Sequence, residues 1–338
     1  MIFLKKLLLT FFALFISLFA ISQQKFVWNA GYDLTADNRE YMSGYGFPQT
    51  ILNSRAMCQV GFAIDSSQKV MIGGSYLIVH GDKKFVGKPE MFLHYTVEKE
   101  NYKVEIGAFP YGEQVFPLIM YTDSLLYENS NLEGLRANYH NKYFSQTVIV
   151  DWLMQVGAGE EEKFLAGIYG NAKASIFYLE DYMYYVHHAK ERENQGKLIK
   201  DNFAYGVYAG IDLSQKLPID SFCVDAGYVG TMYAVRGVET KNSGGLQIRA
   251  KLHYAAFGVE FSKYIGDAVY TPLGDPLYQC GNYSRLDLFF APNFSNGKSI
   301  FSKQSDSRVK VMYKHGLHFL DGEFDNSQQV FVKVRLGN

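Results

Sequence analysis

Charged residues recur at every second position within apolar segments of this sequence, and this spacing limits the chemistry that they can perform. From Gly245 to Tyr254, for example, polar residues such as Arg249 and Lys251 alternate with apolar ones. A period of two is typical of a β-strand, whose successive side chains point to opposite faces. Each such strand has one charged and one apolar face. The chemistry that it offers is therefore electrostatic, namely the binding, steering or filtering of charged solutes.

Eleven charged residues occupy the polar face of a predicted strand, and we interpret them as lining an interior: Arg136, Asp151, Asp212, Asp225, Arg249, Lys251, Arg285, Asp287, Lys310, Lys333 and Arg335. Most of the basic ones fall on the last five predicted strands, whereas the acidic ones lie mainly before them; Arg136 and Asp287 break this separation. Walls of opposite charge would set up a transverse field across a water-filled pore and filter polar solutes. The alternative is that these charges simply pair across neighbouring strands.

The sequence offers no clear set for covalent catalysis or metal binding. The patterns HExxH, GxSxG and CxxC are absent. His187 and His188 are adjacent, so on a strand they point to opposite faces and form a poor metal pair. His315 and His318 near Ser307 are compatible with a serine hydrolase built on a barrel wall, but many strands carry such groupings by chance. We therefore predict no enzyme activity, no cofactor and no metal, and keep a barrel-embedded lipid hydrolase as an alternative.

The composition is typical of a sheet protein and excludes several other classes. Tyr and Phe each occur 26 times and Gly 31 times, against only 8 Pro, which suits β-structure. The net charge of -1 argues against nucleic acid as a partner, which would need a basic surface. The three cysteines, Cys58, Cys223 and Cys280, are too few and too odd in number for a disulfide framework.

The N-terminal residues are typical of a signal peptide. Lys5 and Lys6 precede an apolar run, and Ala20-Ile21-Ser22 places small residues where a signal peptidase reads them. The run is shorter than the roughly 20 residues that a membrane-spanning helix needs, and no later apolar stretch reaches that length. We predict a signal peptide over residues 1–22 and a single domain over residues 23–338.

The chain after residue 22 divides into sixteen segments with strand-like alternation. They begin near Phe26, Arg55, Lys69, Pro89, Tyr102, Leu132, Phe144, Lys163, Ala174, Phe203, Ile219, Gly245, Phe257, Tyr283, Arg308 and Gln328. Short turns such as Asp65–Gln68 alternate along the chain with long links such as Ala189–Asn202. Outer-membrane barrels have this arrangement of tight periplasmic turns and long outer loops. The link Asn293–Asp306 is an exception, because it is long on the side of the short turns.

These features predict an all-β protein, a closed antiparallel transmembrane β-barrel of about 16 strands (14–16) in the outer membrane of a Gram-negative cell. In hydrocarbon every backbone N–H and C=O must be paired within the protein, which only helices and closed barrels achieve. The apolar faces would contact lipid and the charged faces an aqueous lumen. A soluble β-sandwich is the alternative, because alternation alone also fits two packed sheets.

One predicted loop, Tyr111–Asn131, contains the apolar run Gln114–Tyr121. An exposed apolar patch of that size needs cover. The loop could fold inward and narrow the lumen, pack over the barrel mouth, or extend the flanking strands along lipid. If it fills the lumen, transport is disfavoured.

Four segments carry a resemblance to a known family: Gly107–Pro110, Tyr121–Tyr127, Glu133–Leu135 and Phe324–Gln329 with the apolar strand that follows. They resemble uncharacterised porin-like outer-membrane barrels of the Bacteroidetes type. The resemblance covers most of the chain after residue 22 and implies fold and location, with no established substrate. The chain departs from the general porin pattern at its end, which is Leu336-Gly337-Asn338 instead of the terminal Phe that the barrel assembly machinery commonly reads.

We expect a porin-like channel for passive diffusion of small polar solutes, because a sixteen-stranded barrel leaves an aqueous passage whereas eight strands fill with side chains. Its partners would be outer-membrane lipid, those solutes and the barrel assembly machinery, and a homo-oligomer is compatible with the sequence. Two alternatives stay open. One is a plugged barrel that serves as a scaffold or secretion-associated component and binds partners through its outer loops; the other is the lipid hydrolase.

Overall fold

The computed structural model describes residues 25–81, 87–112, 116–128, 131–155, 161–189, 198–292 and 308–337. Within them lie sixteen strands: β1 (Lys25–Glu40), β2 (Gln49–Ala63), β3 (Gln68–Val79), β4 (Lys88–Lys99), β5 (Tyr102–Pro110), β6 (Asn131–His140), β7 (Phe144–Met154), β8 (Lys163–Ala174), β9 (Phe177–His188), β10 (Lys200–Asp212), β11 (Ser221–Val235), β12 (Glu239–Tyr254), β13 (Phe257–Gly266), β14 (Asn282–Phe290), β15 (Val309–Leu320) and β16 (Glu323–Gly337). A short helix α1 (Asp123–Glu128) follows β5, and a 3₁₀ helix (Pro276–Cys280) follows β13. The predicted signal peptide lies outside the described residues and stays a prediction.

All sixteen strands form one closed antiparallel barrel. Each strand pairs with its neighbours in the sequence, and the ring closes where Tyr32 of β1 lies opposite Val334 of β16. Closure pairs the edge strands that an open sheet would expose, which the hydrocarbon environment requires. The predicted fold and the predicted number of strands are confirmed.

Three strands begin earlier than the sequence pattern predicts. β2 begins at Gln49 instead of near Arg55, β12 at Glu239 instead of near Gly245, and β16 at Glu323 instead of near Gln328. The extension of β12 is polar on both faces, and those of β2 and β16 break the alternation, because Ile51 and Leu52 are adjacent and Phe324 is followed by three polar residues. Hairpin pairing continues the strands through these residues.

The two faces of the barrel wall have opposite character. On β12 the apolar side chains of Leu246 and Ile248 are 63% and 48% exposed and point outward, whereas Arg249 and Lys251 point to the interior cavity. Exposed large hydrophobic side chains of this kind recur around the whole barrel. An outward apolar band with an inward polar wall is the arrangement that lipid outside and water inside require.

The lengths of the connections orient the barrel. The turns after β2, β4, β6, β8 and β12 are tight and lie at the end that holds both Lys25 and Gly337, so we assign this end to the periplasm. The connections after β5 and β13 are long and lie at the opposite, outer end. One outer connection is as short as two residues: Asp321 and Gly322 both have positive φ, 41° and 95°, as a type I′ hairpin turn demands.

The outer half of the lumen is filled by two loops that fold inward. Ile119 and Met120, in the connection after β5, are fully buried, and so is Leu277 in the connection after β13. They join lumen-facing side chains such as Leu165 and Tyr184 in one apolar cluster. The sequence left three arrangements open for the loop after β5, and the structure has the inward one. The segment 116–128 together with residues 267–281 is called the plug below.

Candidate functional site

A cavity of about 1820 Å³ occupies the lumen beneath the plug. Its walls extend from the periplasmic end, at Asn29 and Gly337, up to Phe116 and Leu118 of the plug. Nine carboxylates and ten Lys or Arg side chains line it. The charges are therefore nearly balanced.

Eight of the eleven predicted interior charges line this cavity: Asp212, Asp225, Arg249, Lys251, Arg285, Asp287, Lys333 and Arg335. They do not form separate walls of opposite sign. Arg249 donates to Asp225 at 2.7 Å on the adjacent strand and to Glu180 at 2.7 Å. Arg335 likewise donates to Asp33 at 2.6 Å. The charges of Arg249 and Arg335 are therefore balanced by carboxylates on the lumen wall. Pairing across neighbouring strands, the alternative to a transverse field, is the arrangement present.

The other three predicted residues are not among those that line the cavity. Arg136 pairs with Glu105 at 2.6 Å. Asp151 is buried behind the plug, 2% exposed, and accepts the backbone N–H of Glu133 at 2.9 Å. Lys310 lies opposite Lys333 in the β15–β16 ladder and so points to the same side of the wall.

Charged side chains of the lumen wall fasten α1 of the plug. Lys314 of β15 donates to Asp123 at 2.9 Å, and Arg55 of β2 donates to the backbone oxygens of Tyr127 and Glu128 at 3.2 and 3.0 Å. Burial raises the pKa of Asp123, but the charges of Lys314 and Arg285 outweigh burial and hold that pKa below its usual range. Asp123 therefore stays ionised and keeps its ion pair at neutral pH.

The histidines proposed for a hydrolase do not form one common site. His315 faces lipid beside Tyr313, whereas His318 points into the lumen and is fully buried between Tyr283 at 2.6 Å and Ser327 at 3.1 Å. Strand alternation separates two positions three residues apart. Ser307 lies outside the described residues. A lipid cannot reach His318, so the proposed grouping is not a lipid-hydrolase site.

A different serine and histidine meet on the outer wall. Ser54 Oγ lies 2.6 Å from His80 Nε2, and the Tyr32 hydroxyl donates to Ser54 Oγ at 3.2 Å. Ser54 shares its face with Leu52, which is 40% exposed to the outside, and lies opposite Ile78 in the β2–β3 ladder. A serine hydroxyl, an imidazole and a phenol thus lie together on the lipid-facing side, with Ser54 itself 5% exposed, and a serine in contact with an imidazole is the pairing that can activate a nucleophile.

This Ser54–His80 pair lies at a boundary on the wall. His80 follows the last residue of β3 at the outer end, and its N–H donates to the oxygen of Leu52 at 2.8 Å. Towards the outer rim the same wall carries polar side chains, with Thr50 donating to Asn38 at 2.8 Å. Towards the periplasm it is apolar. A lipid has its acyl esters at the corresponding boundary between headgroup and chains.

Sequence analysis did not find this pair. The two residues are 26 positions apart and match no short motif. Only the register of β2 against β3 brings them together. Strand parity did not indicate Ser54 either, because the predicted second strand begins near Arg55 and leaves Ser54 in the preceding link, whereas β2 begins at Gln49.

A family model described as lipid A 3'-O-deacylase-type matches residues 34–336. The chain belongs to this family. The prediction of no enzyme activity is therefore wrong, because the deacylase-type family is an enzyme family. The motifs HExxH, GxSxG and CxxC are absent from the sequence, but the absence of a short motif is weak evidence against catalysis. The resemblance to porin-like barrels of the Bacteroidetes type is supported only at the level of an outer-membrane barrel.

Solved structures similar to this deacylase-type chain are outer-membrane proteins. A loop-deletion mutant of OmpT, an outer membrane protein of Vibrio cholerae, has a TM-score of 0.56 at 11% identity, with 93% of this chain and 99% of that chain covered. The anion-selective porin of Comamonas acidovorans has 0.54 at 9%, and Pseudomonas aeruginosa OpdK with vanillate 0.51 at 9%, each with the same two coverages. Identities this low show the fold alone. No curated protein matches the chain. The protein is a closed β-barrel of the outer membrane.

Proposed function

We propose that this protein hydrolyses an acyl ester of an outer-leaflet lipid, with Ser54 as the nucleophile and His80 as the general base. The observation that carries the proposal is the 2.6 Å contact between Ser54 Oγ and His80 Nε2 on the lipid-facing wall. Membership of the lipid A 3'-O-deacylase-type family supports the reaction class and suggests lipid A as the substrate.

The contacts assign a role to each side chain. Ser54 Oγ attacks the ester carbonyl while its proton passes to His80 Nε2, which then gives that proton to the departing sugar oxygen and so releases the sugar as an alcohol. Water, deprotonated by His80, then releases the fatty acid from Ser54 and restores the serine. The Tyr32 hydroxyl, 3.2 Å from Ser54 Oγ, is placed to donate to the negative charge that develops on the carbonyl oxygen.

Access favours a lipid over a soluble ester. Trp28 and Val60 are 36% and 41% exposed on the same wall, below Ser54, and offer an apolar surface for acyl chains. The polar rim at Asn38 and Thr50 lies above. A lipid that diffuses in the outer leaflet would present its ester bonds between these two zones without leaving the membrane.

The test is release of fatty acid from lipid A by the purified, folded protein. Ser54→Ala should lower the rate by about a thousandfold or more, and His80→Ala by about a hundredfold or more. Ser284→Ala and His315→Ala are matched controls, because their strand positions place both on the outer wall away from this pair, and they should retain full activity. Full activity of Ser54→Ala would overturn the assignment.

Passage of small polar solutes is a second candidate function, and the cavity of about 1820 Å³ favours it. The inward-folded plug argues against an open pore, because its apolar side chains close the outer end of that cavity. Single-channel conductance of the folded protein in a planar bilayer tests this candidate. Steps of nanosiemens order would support a pore, and silence would support a closed barrel. A scaffold role through the outer loops stays a prediction, as do contact with the barrel assembly machinery and a homo-oligomer.

A further inference from the structure

A second polar cluster faces lipid at the outer end of β9, β10 and β11, distant along the barrel wall from Ser54. Its centre is Asp201, which accepts from Tyr185 at 2.6 Å and lies 2.6 Å from His187 Nδ1. Arg236, in the connection after β11, donates to Asp201 through Nε at 2.7 Å. A carboxylate on a lipid-facing wall is costly unless it is paired, and this one holds the Arg236 guanidinium and the His187 imidazole in fixed positions.

The cluster leaves donors free for a ligand. Arg236 uses Nε and Nη2 on Asp201, and its side chain is 56% exposed, so Nη1 points away from the carboxylate into the surroundings. His187 contacts Asp201 and Tyr185 through Nδ1. Among the described residues no contact to its Nε2 is present. A planar guanidinium beside an imidazole is well suited to an oxyanion with several acceptor oxygens.

An aromatic surface lies beside these donors, on the rung of the wall that also holds His187 and Asp201. Trp152 stacks on Phe164 with ring centroids 5.6 Å apart, and Phe164 packs against His187 at 5.3 Å and Tyr185 at 6.1 Å. Aromatic side chains at this level are typical of the interface between headgroups and hydrocarbon. Aromatic side chains and the exposed guanidinium of Arg236 thus lie side by side on the outer wall.

Lys163, His188 and Lys200 lie on the outermost rungs of β8, β9 and β10, one position from Phe164, His187 and Asp201, and therefore on the lumen face of the wall. On the outer face, the exposed guanidinium of Arg236 is a cationic group that an anion can reach.

We propose that Arg236 and His187, organised by Asp201 beside the aromatic surface of Trp152 and Phe164, bind the phosphate of an outer-leaflet lipid. The lipid's chains lie on the aromatic side chains, and its phosphate accepts from the guanidinium. The site is separate from the Ser54–His80 pair and does not depend on hydrolysis. A lipid bound there would stay attached to the outer wall of the barrel.

The experiment titrates the folded, detergent-solubilised protein with bisphosphorylated lipid A and counts bound lipids by native mass spectrometry. The background variant is Ser54→Ala, so that the proposed hydrolysis does not consume the lipid. Arg236→Gln should weaken one bound lipid by about tenfold, whereas Arg236→Lys should weaken it less. Lys142→Gln, the same change of charge in the periplasmic turn after β6, should leave binding unchanged. Lipid A from which the phosphates have been removed should bind Arg236→Gln and its parent equally.

Three results would overturn the proposal: equal binding by Arg236→Gln and its parent, an equal loss in Lys142→Gln, or complete displacement of the lipid by inorganic phosphate alone. The first would make Arg236 a structural partner of Asp201. The second would reduce the effect to overall charge. The third would show a site for a free anion instead of a lipid. None of them bears on Ser54, whose test is fatty-acid release.

Discussion

Thr271 donates a hydrogen bond of 2.7 Å to the carbonyl oxygen of Ile119 and so joins the two inward loops inside the barrel. A second link runs in the other direction, since the N–H of Thr122 donates to the oxygen of Leu273 at 2.7 Å. The plug is therefore one unit formed by segments about 150 positions apart, and it closes the outer half of the lumen.

Destabilising the plug should open the barrel. Ile119→Asp places a carboxylate in the centre of an apolar cluster in which Ile119 is fully buried, where an unpaired charge is costly. We expect conductance in planar bilayers to rise at least about tenfold, because a sixteen-stranded wall without a plug leaves an aqueous channel. Leu217→Asp, at an exposed periplasmic turn, is the control and should stay silent. Equal conductance of both variants and the parent protein would show that the plug does not limit passage.

The plug should withstand moderate acid and loosen only at low pH. Lys314 and Arg285 hold the pKa of Asp123 below its usual range, so the ion pair with Lys314 contributes stability above the unfolded value of about 4 and loses it as pH falls through the lower folded pKa. Protease protection of residues 116–128 should therefore be constant from neutral pH to about 5 and decline below about 4. Asp123→Asn should lose protection already at neutral pH, because it leaves Lys314 without its charged partner. A decline centred near neutral pH in the parent protein would contradict this account.

Labelling of introduced cysteines should report the two faces of the wall. In a background without Cys58, Cys223 and Cys280, a cysteine at position 251 should react with a water-soluble thiol reagent, because the Lys251 side chain is 46% exposed towards the cavity. A cysteine at position 248 should be protected by lipid. The reverse pattern would mean that the register of β12 is shifted by one residue, which exchanges the faces of a strand.

The tyrosine beside the proposed nucleophile should affect the chemical step more than binding. Tyr32→Phe removes the hydroxyl that lies 3.2 Å from Ser54 Oγ and keeps the ring on the wall. We expect kcat for fatty-acid release to fall by about tenfold or more with little change in KM. Tyr76→Phe, another lipid-facing tyrosine whose hydroxyl instead accepts from the N–H of Gly87, is the matched control. A change in KM alone would assign Tyr32 to lipid binding.

The sequence by itself determined the barrel. Apolar and charged residues alternate with the period of a β-strand. In membrane hydrocarbon the backbone groups at the sheet edges find hydrogen-bond partners only if the sheet closes into a barrel. The number of strands follows from counting these segments, and the faces of residues such as Ile248 and Arg249 follow from parity. Local spacing carries this information because each strand is specified by its own residues and pairs with its neighbours in the chain.

Tertiary structure alone decided the sites and the closed lumen. Ser54 meets His80 only through the β2–β3 register, Asp201 meets Arg236 across β10 and β11, and the plug forms from loops that the sequence leaves without periodicity. Alternation identifies the individual charged residues of the lumen. The stagger of adjacent strands determines which of them form ion pairs. A period of two specifies the face on which a side chain lies. The partner it meets there depends on register and on inward-folded loops, which are set by packing over the whole barrel.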